Sequence, residues 1–167
     1  VRPLPNTGFN DPGTMFAAAE ATGRTAELDI ACLNAVMESA SRLRLPGTLN
    51  VNLSPRTLEM DEFSIHTFLR MIVRHGLDPR RIVLELTERR VAKDPAGLLA
   101  AVRDARRRDS VGIALDDVGA DASSLAFMSL IHPDVIKLDL SLIQGRTTRS
   151  VARVANAVMA QAERTGA

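Results

Sequence analysis

One cysteine in 167 residues excludes an internal disulfide framework, and Cys32, set in a helical pattern, reads as a buried, inert thiol. The three histidines, His66, His75 and His132, fall in helices or a loop and form no cluster with that cysteine of the kind zinc needs. Aromatic residues make up only 3% of the chain. The basic run "RDARRRD" (Arg103 to Asp109) therefore lacks stacking partners for nucleic-acid bases, and no DNA or RNA partner is expected. That run reads as a solvated helix C-terminus, where positive side chains complement the helix dipole. Neither sign of charge dominates, since the formal net charge is +1, so bulk electrostatics gives no case for nucleic acid or a membrane surface. No apolar run approaches the roughly 18 residues that a membrane helix needs, and direct membrane insertion by this segment is not expected. No signal-peptide pattern opens the chain. A reducing cytoplasm is the expected location. Low-complexity tracts and inter-domain linkers are also missing, which leaves one domain over residues 1–167.

What is present is the balance of a globular protein, with 46% hydrophobic and 25% charged residues. Helical spacing of apolar residues predicts helices over 13–22 and 26–43. The rhythm then changes. Short runs rich in Val, Ile and Leu, at 48–54, 81–88, 111–118 and 134–140, alternate with helical segments at 61–76, 95–108 and 122–131. A helix near 148–165 closes the chain. Four strand–helix units in series mean a parallel sheet covered by helices. Periodicity leaves open whether that sheet is doubly wound or part of a (β/α) barrel.

The functional signal sits where the strands end. The first run offers Asn50, Asn52 and Ser54; the second Glu85, Thr87 and Glu88; the third Asp116 and Asp117; the fourth Lys137 and Asp139. Any one of these could simply cap the following helix. Four consecutive strands ending in polar groups point instead to a site, because ligands of parallel α/β folds bind at the strands' C-terminal ends. Asn52, Glu85, Asp116 and Asp117 would form an oxygen-rich, negative pocket suited to a hard divalent cation, Mg²⁺ or Mn²⁺. Such a cation would neutralise the paired aspartates. Lys137 would position a water or meet charge developing on a phosphoryl oxygen, a combination that suits metal-assisted phosphoryl chemistry.

In this order, "NVNLS", "LELTE", "ALDDVGADASSL" and "VIKLDLSLI" resemble the EAL-domain family, cyclic di-GMP phosphodiesterases built as a modified TIM barrel. The stretch "GTMFAAAEATGRTAELD" is similar to the one that follows the family's name motif, Glu-Ala-Leu-x-Arg, whose last two letters match Val1-Arg2. The resemblance implies metal ligation by Asn52, Glu85, Asp116 and Asp117, with Lys137 assisting the attacking water. It implies that Glu88 steadies the loop after the third strand, and that Arg2 and Asp139 contact substrate. The implied reaction is hydrolysis of cyclic di-GMP to linear pGpG, and the implied assembly a homodimer through the loop after Asp117. The implied fold is a TIM-type (β/α) barrel, represented here by about four β/α units preceded by two helices. The chain is expected to be a partial domain, with the first and last barrel strands outside it, and the 167 residues alone to be inactive. Where the family loop reads Asp-Asp-Phe-Gly-Thr-Gly, this chain has Asp116-Asp117-Val118-Gly119-Ala120-Asp121, and Arg89 stands where the family often has Ser. The rival reading is an inactive EAL-like domain acting as a cyclic di-GMP sensor or protein-interaction module.

Overall fold

The computed structural model describes residues 8–9, 11–58, 60, 63–87, 95–109, 111–119, 128–144 and 148–167. Two helices lead, α1 (Pro12–Ala21) and α2 (Thr25–Leu43). Asp11 starts α1 by accepting a hydrogen bond from the Thr14 N–H at 2.9 Å, with Pro12 in the first helical turn. The buried residues of α2 recur every three or four positions, at Ala26, Asp29, Leu33, Met37 and Ala40, which makes one stripe facing the core.

Strand β1 (Leu49–Asn52) is followed by the single-turn α3 (Pro55–Leu58) and by α4 (Ile65–Arg74), which Ser64 caps. A 3₁₀ turn at Pro79–Arg81 leads into β2 (Ile82–Thr87). Then come α5 (Pro95–Asp109), β3 (Gly112–Val118), β4 (Val135–Leu138), α6 (Leu140–Gln144) and α7 (Arg149–Thr165). The four strands form one parallel sheet in sequence order, β1-β2-β3-β4. The expected helix at 122–131 lies largely outside the described residues, of which 128–131 are helical. The fourth strand stops at Leu138 rather than at 140, because Asp139 accepts from the Ser141 N–H at 2.8 Å and starts α6.

One face of the sheet carries the core. Ile82, Leu84 and Leu86 of β2 and Ile113 and Leu115 of β3 are at most 1% exposed and pack with Phe68 and Ile72 of α4 and Leu98 and Val102 of α5. The opposite face carries Asn50, Asn52, Val83, Glu85, Ala114 and Asp116, as strand alternation and the register dictate. At the strands' N-terminal ends two arginines tie loops down. Arg81 donates to the carbonyls of Leu45 and Gly47, while Arg106, from the basic run, donates to the His132 carbonyl and pairs with Asp134. The guanidinium of Arg106 is therefore engaged in holding α5 to the start of β4.

Candidate active site

The register sets the site. Asn52 lies beside Glu85 and Glu85 beside Ala114, so these residues share a layer on the face opposite the core. The next layer toward the C-terminal ends holds Asp116, opposite Thr87. Between β3 and β4 the pairing shifts: Leu115 pairs with Ile136 and Val118 with Leu138. Two residues, Asp116 and Asp117, therefore oppose the single Lys137. That is a β-bulge, a device that re-aims side chains next to functional sites. Asp117 takes φ +59°, in the left-handed region that Asp tolerates better than most residues. The bulge leaves the backbone positions of both Asp116 and Asp117 opposite one lysine in the register, and the Asp116 carboxylate is the one that reaches it.

Lys137 is the hub. Its Nζ lies 3.1 Å from Glu85 Oε1 and 3.0 Å from Asp116 Oδ1. Glu85 Oε1 accepts a second hydrogen bond, at 2.8 Å, from Asn50 Nδ2. Glu85 is only 5% exposed, a degree of burial that a carboxylate tolerates only when paired and hydrogen-bonded. In this structure the counter-charge for Glu85 and Asp116 is thus Lys137, where the sequence suggested a cation alone. Burial pulls the Lys137 ammonium toward its neutral form, but hydrogen bonds to Asp116 and Glu85, together with their charges, outweigh this and hold its pKa above the ordinary lysine value.

A stability prediction follows for chelator-treated protein. The folded state holds the Lys137 proton more tightly than the unfolded chain does. The ion pairs therefore stabilise fully below the ordinary lysine pKa of 10.5, and their contribution is lost as pH rises through the higher folded value. The melting temperature is expected to fall across that alkaline range, and to fall less in Lys137→Met. Equal slopes for the two proteins would contradict it.

The remaining expected residues fall out as follows. Asn52 is exposed on the site face, Asp117 is half-buried in the bulge, and Asp139 uses Oδ1 to start α6. Arg2 and Glu88, and with them Ala120, Asp121 and Arg89, lie outside the described residues. Cys32 is half-buried rather than buried, and burial, helped by the nearby Asp29 carboxylate, pushes its thiol up in pKa, as suits an unreactive group. Asn50 was named from the sequence as a strand-end residue without a role, and Asp29 was not singled out. Asn50 shares a strand face with Asn52 and touches Glu85. Asp29, buried in α2, accepts from Thr57 Oγ1 at 2.5 Å and from the Ser54 N–H at 3.2 Å, fixing the turn that follows β1. Beside it a cavity of about 430 Å³ is lined by Phe16, Asp29, Cys32, Asn50, Asn52 and Ser54, among others.

The donor set is that of a hard cation, with carboxylates and carboxamides and, among the described residues, no imidazole or thiolate paired with Glu85, Asp116 or Lys137. Among the described residues no three His, Cys, Asp or Glu side chains gather into one metal-holding group, so a cation here would draw on asparagine oxygens as well as Glu85 and Asp116.

The EAL domain family matches residues 3–167. The chain belongs to the EAL-domain family. Among its relatives is the probable cyclic di-GMP phosphodiesterase PdeB of Escherichia coli strain K12, 28% identical over 155 residues, which cover 89% of this chain and 29% of PdeB. The chain thus spans less than a third of that relative's length. The PaMucR phosphodiesterase, solved as a c-di-GMP complex, superposes with a TM-score of 0.79 at 23% identity, over 93% of this chain and 69% of that one. Klebsiella pneumoniae BlrP1, in a manganese and cyclic di-GMP complex, gives 0.78 at 26% identity over 93% and 40% of the two chains. The fold of this EAL domain is accordingly of the TIM-barrel type, which settles what periodicity left open. No helix among its described residues is long and apolar enough to cross a membrane.

The glycine of the EAL loop is held in place by two constraints. Gly119 has φ +99°, and a Cβ placed on it would stand 2.1 Å from Leu142 Cδ1. Gly119→Ala is expected to destabilise the domain by about 2 kcal/mol through backbone strain and displacement of Leu142, read as a lower urea midpoint. An unchanged midpoint would show that the loop and α6 yield freely.

Proposed function

We propose that the full-length protein hydrolyses one phosphodiester bond of cyclic di-GMP to give linear pGpG, with Mg²⁺ or Mn²⁺ held by Asn52, Glu85, Asp116 and Asp117. The observation that carries this reading is Lys137 flanked by Glu85 and Asp116 at the C-terminal ends of three adjacent parallel strands. When bound, the cation supplies an activated water and neutralises phosphoryl charge. Glu85 and Asp116 contribute two negative charges for it, and the register shift that puts Asp117 beside Asp116 supports its inclusion. In the metal-free site Glu85 and Asp116 hold Lys137 as an ammonium, which suits it to donate hydrogen bonds. Its role is electrostatic: the ammonium donates to a non-bridging phosphoryl oxygen or orients the water, and meets the charge that grows in the transition state. The substrate and metals named for PdeB, PaMucR and BlrP1 support the same assignment here.

The test is incubation of the full-length protein with cyclic di-GMP and Mg²⁺ or Mn²⁺, with products separated by ion-exchange chromatography. Formation of pGpG is the expected result. Intact dinucleotide after prolonged incubation, with binding still detectable by calorimetry, would replace the enzyme with a sensor.

A further inference from the structure

We infer that Asn50 is a positioning residue for Glu85, fixing that carboxylate for a divalent cation through its hydrogen bond to Oε1, an inference that rests on the metal site proposed above. In the β1–β2 register Asn50 pairs with Val83 and Asn52 with Glu85, so Asn50 reaches diagonally across the strands to its acceptor. Both described donors to Glu85, Asn50 Nδ2 at 2.8 Å and Lys137 Nζ at 3.1 Å, meet the same oxygen. Oε1 is thereby held from two sides. The two donors differ in what a bound cation does to them. Lys137 carries a positive charge, is shared with Asp116 and stands on a long stem, so a cation bound to these carboxylates repels it. Asn50 is neutral, stands on a strand and loses nothing electrostatically when a cation arrives. It is the donor able to hold Glu85 in both states, the part that outer hydrogen-bonding partners play in tuning metal ligands.

The experiment measures Mn²⁺ affinity by electron paramagnetic resonance in the full-length protein, without substrate, for wild type, Asn50→Ala and Asn50→Asp. Asn50→Ala is expected to weaken Mn²⁺ binding by roughly tenfold or more. Asn50→Asp, which keeps the side chain's shape but presents a carboxylate to Glu85 in place of an N–H, is expected to weaken it too. The melting temperature of metal-free Asn50→Ala should fall only modestly, because Lys137 still pairs with Glu85. In turnover, kcat at fixed metal should fall while KM for cyclic di-GMP holds. Wild-type affinity in Asn50→Ala would overturn the inference and leave the proposed function standing, while tighter binding by Asn50→Asp would make residue 50 a ligand and overturn it as well. A wild type that binds Mn²⁺ without hydrolysing the dinucleotide would remove the proposed hydrolysis, with Asn50 still judged by the affinities. A wild type that binds no Mn²⁺ would overturn both.

Discussion

In the full-length protein, replacing Asp116 with Asn is expected to lower kcat for the proposed hydrolysis of cyclic di-GMP by about three orders of magnitude, with the fold retained. The substitution keeps the shape of the side chain and removes one negative charge. Asp116 Oδ1 is 3.0 Å from Lys137 Nζ, and Asp116 stands at the bulge where β3 meets β4. A carboxylate there serves twice: as a charged ligand for a cation and as the partner that keeps Lys137 protonated and placed. An amide oxygen keeps a weak version of the first and gives up most of the second. Stability should change little, since Asp116 is partly open to solvent and Lys137 retains Glu85. Initial rates at saturating Mn²⁺, beside a melting curve, check both halves. Turnover within about tenfold of wild type would place the chemistry away from this residue.

The largest stability effect is expected at Phe68, where substitution by Ala should cost about 3–5 kcal/mol. Phe68 is fully buried in α4, and its ring lies 6.5 Å from that of Phe63 at an interplanar angle of 57°, a tilted aromatic pair. Around it the helix-facing residues of β2 and β3 are sealed, so the cavity left by the ring has little freedom to collapse. The urea midpoint should drop steeply at constant slope. The sheet that carries the candidate site hangs from this layer, so the proposed activity of the full-length protein should disappear at a lower temperature without any change in metal preference. A shift under 1 kcal/mol would mean that α4 packs more loosely than its burial implies.

The alternation of strands and helices was plain in the sequence because each buried strand is a short β-branched or leucine-rich run and each helix has its own punctuation. Glu85 and Lys137 could be placed on one face from the two-residue period alone. The relation of Asp116 to Asp117 could not, because that period separates neighbours and a bulge, which sets both opposite Lys137 in the register, leaves no mark in local composition. Asn50, named among the strand-end residues, was given no role for a related reason. Alternation put it with Asn52, but only the inter-strand register shows which of the two reaches Glu85. Asp139 reads equally well as the last residue of a strand or the first cap of a helix, and the short α6 is too brief for periodicity to reveal. The choice between open sheet and barrel depends on closure far along the chain, which no local pattern encodes.

The central claim is that Glu85 and Asp116 hold a divalent cation in the place that Lys137 now bridges. Anomalous diffraction from crystals of the protein soaked in Mn²⁺ tests this most directly. The account predicts a strong manganese peak within ligand distance of both carboxylates, with the Lys137 ammonium drawn back from at least one of them. A peak elsewhere, or Lys137 still joining Glu85 to Asp116 at saturating Mn²⁺, would contradict it.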